Sequence, residues 1–179
     1  MNIPNFLSLI RIFLVPVLVI FLIQGSFLNA LIVFVVAGIT DALDGFFARI
    51  LKQKTVLGAY LDPLADKALL ISTFVTLSIL GMIPAWLTVI VVSRDFVILL
   101  GVSVLFFMSV SFEIRPAFVS KITTTLQLLT LFLVLALRCM PADFNCPLVE
   151  VAYWVTALFT VISGLNYVAK GVKFINSVE

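Results

Sequence analysis

The sequence predicts an all-α, polytopic membrane protein with six transmembrane helices and both termini in the cytoplasm. Of its 179 residues, 63% are hydrophobic and only 11% are charged, and the mean hydropathy is +1.29. Soluble domains are about half apolar, so this composition indicates a bilayer. No stretch alternates apolar and polar residues with the period of a strand, and helices are therefore the expected spanning form. We expect one membrane domain over residues 1–179.

Six apolar stretches are each long enough, at about 20 residues, to cross the hydrocarbon core of a bilayer. Turn signals separate them, among them Gly25-Ser26 and the segment from Gly81 to Pro84. No internal repeat is visible, which argues against a transporter built from two halves. The six predicted spans are Phe6–Gln24, Phe27–Gly45, Gly58–Leu80, Trp86–Met108, Ser120–Leu137 and Leu148–Val168.

Basic residues alternate between the connections and thereby predict the orientation of the chain. Positive charge is retained in the cytoplasm, so the basic connections 2/3 and 4/5 and the C-terminus are expected inside. The seven basic residues assigned to the inside are Arg49, Lys52, Lys54, Arg115, Lys121, Lys170 and Lys173, against only Arg138 outside. A net charge of +2, spread over loops, argues for contacts with lipid headgroups and against nucleic acid.

Four aspartates lie at the predicted inner ends of spans 2 and 3. Asp41 and Asp44 are three residues apart, and Asp62 and Asp66 are four apart, so each pair shares one face of its helix. Span 2 runs inward and span 3 runs outward, which places the two pairs opposite each other near the cytoplasmic boundary. The small residues that permit close approach of the two helices are Gly45, Ala48, Gly58 and Ala65.

Charge balance in this acidic cluster predicts two divalent cations. Four ionised carboxylates this close would repel one another strongly, and two divalent ions would cancel their charge. The chain contains no histidine, and oxygen ligands favour Mg²⁺ or Mn²⁺ over zinc. Such a pair of ions is the usual clamp for phosphoryl transfer. The alternative, that the aspartates are helix caps or surface charges, accounts less well for four of them in this register.

The spacing Asp41-x2-Asp44-Gly45-x2-Ala48-Arg49-x8-Gly58-x3-Asp62-x3-Asp66 resembles the signature of the CDP-alcohol phosphatidyltransferases at all eight positions. With the six spans, the resemblance covers nearly the whole chain. It implies that CDP-diacylglycerol gives its phosphatidyl group to an alcohol and that CMP leaves. It also implies a homodimer, and we expect a bacterial inner membrane with the site facing the cytoplasm.

The resemblance further assigns roles to the residues of the signature. Asp66 would accept the proton of the attacking hydroxyl. Arg49 beside the acidic cluster suits a diphosphate, although it could instead only mark the cytoplasmic side. The metal ligands would be Asp41, Asp44, Asp62 and Asp66, and the cytidine diphosphate would lie among Asp44, Gly45, Ala48, Arg49 and Gly58.

Further segments of the chain bear on the acceptor alcohol. Ile3–Arg11 and Asp62–Lys67 resemble the branch of the family that makes phosphatidylglycerophosphate and cardiolipin. Trp154–Tyr167 resembles the enzymes that make phosphatidylglycerophosphate, whereas Ser93-Arg94-Asp95 and Phe118–Lys121 resemble the eukaryotic-type cardiolipin synthase. We predict glycerol 3-phosphate as the acceptor, with phosphatidylglycerol as the alternative.

Both acceptors carry a phosphate, and three basic residues are predicted near the same inner boundary as the acidic cluster. Arg94, Arg115 and Lys121 are therefore candidate ligands of the acceptor phosphate. Two alternatives remain open at this point. Arg115 could be a plain cytoplasmic charge, and Arg94 could pair internally with Asp95.

Two other classes of protein use acidic residues in a membrane. An intramembrane prenyltransferase would have its second aspartate motif far along the chain, whereas all four carboxylates here lie within 26 residues. A cation channel or transporter would need acids across the bilayer, but these stop at one boundary. Cys139 and Cys146 lie in the predicted outer connection 5/6, as a disulfide or as two free thiols.

Overall fold

Six α-helices follow one another in the computed structural model, which describes residues 3–50, 56–107, 118–139 and 147–175. Within these ranges there is no strand, so the all-helical prediction is confirmed. Side chains are described for residues 8–41, 43, 64–100, 119–139 and 147–169. The helices are α1 (Ile3–Ile23), α2 (Phe27–Ile50), α3 (Val56–Ile79), α4 (Ala85–Phe107), α5 (Phe118–Arg138) and α6 (Pro147–Ile175).

Several helices extend beyond the apolar stretches that predicted them. The second span was predicted to end at Gly45, but α2 continues to Ile50, and α6 continues past Val168 to Ile175. Arginine and lysine are good helix formers, so a change to polar composition does not end a helix. The apolar run therefore marks the part suited to hydrocarbon, and the helix carries residues of the signature, such as Arg49, beyond it.

Glycine-based turns of one type close α1 and α3. Gly25 and Gly81 have φ values of 71° and 69°, a left-handed conformation that glycine adopts without steric cost. After α1, the Ser26 amide donates to the Phe21 carbonyl at 2.9 Å; after α3, the Met82 amide donates to the Leu77 carbonyl at 2.9 Å. Each of these bonds spans five residues, as in a Schellman cap. The predicted turn signals at Gly25-Ser26 and Gly81 are therefore confirmed.

The first of two compact units contains residues 1–83 and 131–144 of the chain. In this unit α1 packs against both α2 and α3. Its apolar core residues come from these three helices and from the end of α5, and a single charged side chain of α1, Arg11, is fully buried with them. Large apolar side chains buried in this unit include Leu18, Leu22, Phe34, Phe74, Leu77, Leu131 and Leu135.

The second compact unit contains residues 84–130 and 145–179. Here α4 packs against α6, and hydrogen bonds join the first part of α5 to α6. Polar and charged side chains make up much of the buried interior of this unit. Its buried polar side chains are Thr88, Arg94, Asp95, Thr123, Gln127, Thr130, Thr156, Thr160 and Ser163.

Two helical stretches with described side chains are long and apolar enough to cross a membrane. They are Val119–Arg138 and Pro147–Ala169. Residues 8–23 and 27–41 are also apolar helix but are shorter. Length and composition thus support a membrane location for part of the chain, while the six-span topology stays a prediction.

Candidate functional site

The side chain of Arg11 joins two aspartates of the signature. Its Nη1 atom lies 2.9 Å from Oδ1 of Asp41 on α2 and also contacts Oδ1 of Asp66 on α3. Helix α1 packs between the other two helices closely enough for one nitrogen to reach both carboxylates. The structure therefore brings together one member of each predicted acidic pair, on two different helices.

Burial differs sharply between the arginine and its two partners. The Arg11 side chain is 0% exposed, whereas those of Asp41 and Asp66 are 47% and 40% exposed. A buried guanidinium needs a counter-charge, and here Asp41 and Asp66 each provide one. The two carboxylates thus contact a cation on their buried side and are accessible on another.

The remaining residues of the signature lie on the same two helices. Asp44, Gly45, Ala48 and Arg49 belong to α2, and Gly58 and Asp62 to α3. Their side chains lie outside the described residues, as do all side chains from 44 to 63. The expected meeting of all four aspartates, and the residues around the cytidine diphosphate, therefore stay predictions.

The donors at this site fit a hard divalent cation. Asp41 and Asp66 offer only oxygen and already converge on one positively charged nitrogen, as ligands of a shared ion would. Among the side chains that the structure describes, no three His, Cys, Asp or Glu residues cluster. Asp44 and Asp62, which would complete such a cluster, fall outside that set.

Arg94, a predicted ligand of the acceptor phosphate, lies buried in the second unit. Its Nη1 donates to Asp95 Oδ1 at 2.6 Å, which is the internal pairing considered as the alternative. Its Nη2 donates to the hydroxyls of Ser120 at 2.6 Å and Ser163 at 2.9 Å. The guanidinium also lies 5.9 Å from the ring centroid of Tyr167. Arg94 therefore ties α4 to both α5 and α6.

One donor of Arg94 remains without a hydrogen bond in the described part of the chain. Its Nε atom is buried and has no partner there, and the side chain as a whole is 5% exposed. A buried unsatisfied donor is costly, so this atom is suited to an anionic or water oxygen.

A seam of hydroxyl and amide groups continues from Arg94 along α5 and α6. Gln127 Nε2 donates to Thr160 Oγ1 at 3.3 Å, and the hydroxyls of Thr130 and Thr156 are 2.7 Å apart. The Thr123 hydroxyl donates to the Phe159 carbonyl at 3.1 Å. Polar pairs of this kind fix one helix against another within apolar surroundings. The seam thereby sets the register of α5, which carries Lys121.

The other residues of the predicted acceptor pocket are only partly described. Lys121 lies in the first turn of α5 and is exposed, as a residue that binds a soluble phosphate should be. Arg115 lies outside the described residues. Cys139 follows α5 directly and is half-buried, but Cys146 lies outside the described residues, so a disulfide between them is untested.

Comparison with known proteins identifies the family to which this chain belongs. The model of the CDP-alcohol phosphatidyltransferase family matches residues 1–162. The chain is therefore a member of the CDP-alcohol phosphatidyltransferase family, which confirms the family predicted from the signature. This membership also argues against the prenyltransferase and channel interpretations.

Curated relatives fall into two groups. The chain is 34% identical to the cardiolipin synthase (CMP-forming) of Rattus norvegicus, over 99% of this chain and 64% of the relative. It is 32% identical to the CDP-diacylglycerol--glycerol-3-phosphate 3-phosphatidyltransferase of Bacillus subtilis, over 94% of both chains. The enzyme of that name from Aquifex aeolicus is 34% identical, over 98% of both. The chain thus spans less than two thirds of the length of the Rattus norvegicus relative, but nearly all of the Bacillus subtilis and Aquifex aeolicus relatives.

Arg11 is the residue of the site that sequence reasoning missed. The sequence assigned Arg11 to the first span and to the Ile3–Arg11 segment, but gave it no role at the site. A signal was present, however, because an arginine inside an apolar helix requires a buried counter-charge. Acidic residues are scarce in this chain, at nine in total, and those of the signature were natural partners.

Proposed function

We propose that this protein transfers the phosphatidyl group of CDP-diacylglycerol to glycerol 3-phosphate. A hydroxyl of glycerol 3-phosphate attacks the phosphorus that carries the diacylglycerol. The bond from that phosphorus to the oxygen of the cytidine-bearing phosphate breaks, CMP leaves, and phosphatidylglycerophosphate forms. The observation that carries the proposal is the convergence of Asp41 and Asp66 on one cation, within the signature of the family.

The residues of the acidic site have three roles in this reaction: proton acceptor, metal ligands and ligands of the cytidine diphosphate. Asp66, exposed enough to meet a substrate, accepts the proton of the attacking hydroxyl. When bound, two Mg²⁺ or Mn²⁺ ions would neutralise the charge of the diphosphate as the bond to CMP breaks. The residues that would hold these ions are Asp41, Asp44, Asp62 and Asp66, and those that would surround the cytidine diphosphate are Asp44, Gly45, Ala48, Arg49 and Gly58.

For the acceptor phosphate we propose Arg94, Arg115 and Lys121. Support comes from the exposed position of Lys121 in the first turn of α5 and from the buried, unsatisfied Nε of Arg94. Arginine and lysine together provide directional hydrogen bonds and a mobile positive charge for a phosphate. Because Ser120 hydrogen-bonds Arg94, the residue next to Lys121 is already fixed against α4.

The runner-up is a cardiolipin synthase, in which phosphatidylglycerol replaces glycerol 3-phosphate as the acceptor. It is favoured by the Rattus norvegicus relative, at 34% identity, and by the segment Ser93-Arg94-Asp95. We place glycerol 3-phosphate first because relatives named for it align over nearly the whole of both chains and because the segment Trp154–Tyr167 resembles their branch.

An acceptor panel decides between the two. The purified full chain in lipid nanodiscs, given CDP-diacylglycerol and Mg²⁺, is supplied with glycerol 3-phosphate or with phosphatidylglycerol, and CMP is measured. We expect CMP with glycerol 3-phosphate, none after chelation, and recovery when Mg²⁺ or Mn²⁺ is added back. CMP with phosphatidylglycerol alone would establish the runner-up, and release that survives chelation would contradict the metal site.

The proposed setting is an integral membrane protein with six spans, both termini in the cytoplasm and the acidic site at the inner surface of a bacterial inner membrane. Two apolar helical stretches and the alternation of basic residues support it. We further propose a homodimer with one site in each chain, as the family resemblance implies, surrounded by membrane lipids.

A further inference from the structure

We infer that Arg11 is a positioning residue that acts as the resident cation of the acidic site. It holds Asp41 and Asp66 together when divalent cations are absent, and those ions take over part of this role when they bind. The inference rests on the proposed metal site. The new element is that a positive charge of the chain itself, the Arg11 guanidinium, keeps the site assembled without metal.

The geometry of the ion pairs is the first argument. A single atom, Arg11 Nη1, is shared by Oδ1 of Asp41 and Oδ1 of Asp66. A bidentate arginine would use two nitrogens on one carboxylate, whereas this arrangement places one positive group between two carboxylates. A divalent cation shared by the two aspartates would occupy the same kind of position. Arg11 thus connects α2 to α3 in the manner of a bridging ion.

Burial is the second argument. Arg11 is 0% exposed, so its charge is screened little by water, whereas its partners are nearly half-exposed. Without Arg11, the carboxylates of Asp41 and Asp66 would lose the guanidinium that now lies between them. Their repulsion would then act directly on the contacts of α1, α2 and α3.

Competition with metal follows from these two observations. A divalent ion that binds Asp41 and Asp66 would share oxygens with Arg11 or lie a few ångströms from its guanidinium, where like charges repel strongly. Removal of the Arg11 charge should therefore weaken the metal-free protein and increase the stabilisation that metal provides. An arginine that served only to fill space would change stability equally with and without metal.

The test compares thermal unfolding of the full chain in nanodiscs, followed by far-UV circular dichroism, in EDTA and over a Mg²⁺ series. In EDTA we expect Arg11→Gln to lower Tm by about 5 °C or more, as the loss of a largely buried cation requires. Saturating Mg²⁺ should reduce that gap to less than half. Arg11→Lys, which retains a positive charge, should recover at least half of the loss in EDTA.

Arg94→Gln is the matched control, because Arg94 is also a buried arginine paired with an aspartate, but Asp95 is not a proposed metal ligand. Its loss of Tm should be the same in EDTA and in Mg²⁺. If folded Arg11→Gln protein can be purified only in the presence of Mg²⁺, the inference is supported. If it cannot be purified folded in either condition, Arg11→Lys takes its place, and its difference in Tm from the unmodified protein should be smaller in Mg²⁺ than in EDTA.

Two contrary outcomes are distinguishable. If Mg²⁺ raises the Tm of the unmodified protein but the gap to Arg11→Gln stays constant or widens, the inference is wrong and the metal site stands. If neither Mg²⁺ nor Mn²⁺ changes the Tm of any variant, the proposed metal site fails and the inference fails with it.

Discussion

Asp41 and Asp66 share almost every property that the structure records. Both are aspartates of the signature, both contact Arg11 Nη1, and their exposed fractions are similar. In the proposed mechanism both aspartates bind metal, and they differ in one role only: Asp66 also accepts a proton. This pair therefore provides an internal comparison in which burial and charge are matched.

Asp66→Asn should nearly abolish turnover, since the change removes the base. Binding of CDP-diacylglycerol should stay largely intact, since only one of the four proposed metal ligands is changed. Asp41→Asn should also lower turnover, but excess Mg²⁺ should restore part of it, because only metal affinity is affected. The measurement is CMP release over a Mg²⁺ series, together with nucleotide binding. Retained turnover in Asp66→Asn would move the base to another residue.

Lys121→Ala should raise the apparent KM for the acceptor far more than that for CDP-diacylglycerol, because it removes a contact to the acceptor phosphate. A tenfold or greater increase is expected, since one charged hydrogen bond contributes about 1.5–3 kcal/mol. Thr125→Val, one turn further along α5 and also exposed, is the control and should change neither constant. Equal increases in both KM values would contradict the assignment of Lys121.

Residue-level prediction succeeded where a role follows from residue type and spacing, and failed where it depends on packing. The eight positions of the signature could be read from the chain and led to the correct family. Arg11 lies 30 residues before Asp41 and 55 before Asp66. Its partners depend on how α1 packs against α2 and α3, and no local pattern specifies that packing.

At the scale of the elements, six apolar stretches were sufficient to predict six helices, but not where they end. The turns after α1 and α3 were predictable because glycine has a specific role at a left-handed position. The C-terminal extension of α6 was not, because charged helix formers such as Lys170 and Lys173 continue a helix that the apolar pattern no longer marks. Composition thus located the helices, and backbone hydrogen bonding set their length.

The closing turn of α3 gives a prediction for one element. Gly81→Ala should destabilise the protein by about 1 kcal/mol, because alanine is strained at a φ of 69°. Gly38→Ala is the matched control: neither glycine has an atom within 4 Å of an added Cβ, but Gly38 lies within α2 without a positive φ. Gly38→Ala should be neutral or stabilising. Thermal unfolding measures both, and an equal loss would contradict the role assigned to the turn.

The polar seam between α5 and α6 was not foreseen as a unit. Its members are ordinary threonines and a glutamine, and each alone is compatible with a lipid-facing or a buried position. Their spacing of three and four residues, at Thr123, Gln127 and Thr130, does indicate one face of a helix. Which helix this face contacts, however, depends on tertiary structure. The spacing within α5 does not specify it.

At the scale of the whole molecule, orientation in the membrane is the prediction that most affects function, because it decides which compartment supplies the acceptor. In a background with Cys139 and Cys146 replaced by serine, Ser26→Cys and Ser177→Cys report on opposite sides. An impermeant thiol reagent on intact spheroplasts should label Ser26→Cys, while Ser177→Cys should react only after permeabilisation. Labelling in the reverse order would contradict the inner location of the acidic site.

The tryptophans of the chain offer an optical probe of one half of the protein. Both of them, Trp86 on α4 and Trp154 on α6, belong to the second unit, and their ring centroids are 5.0 Å apart. Intrinsic emission excited at the red edge of their absorption therefore monitors the contact between those two helices. Helices α1 to α3 contain no tryptophan, so their unfolding does not change this emission directly. Unfolding around Arg11 therefore has to be measured with a dye or an introduced fluorophore.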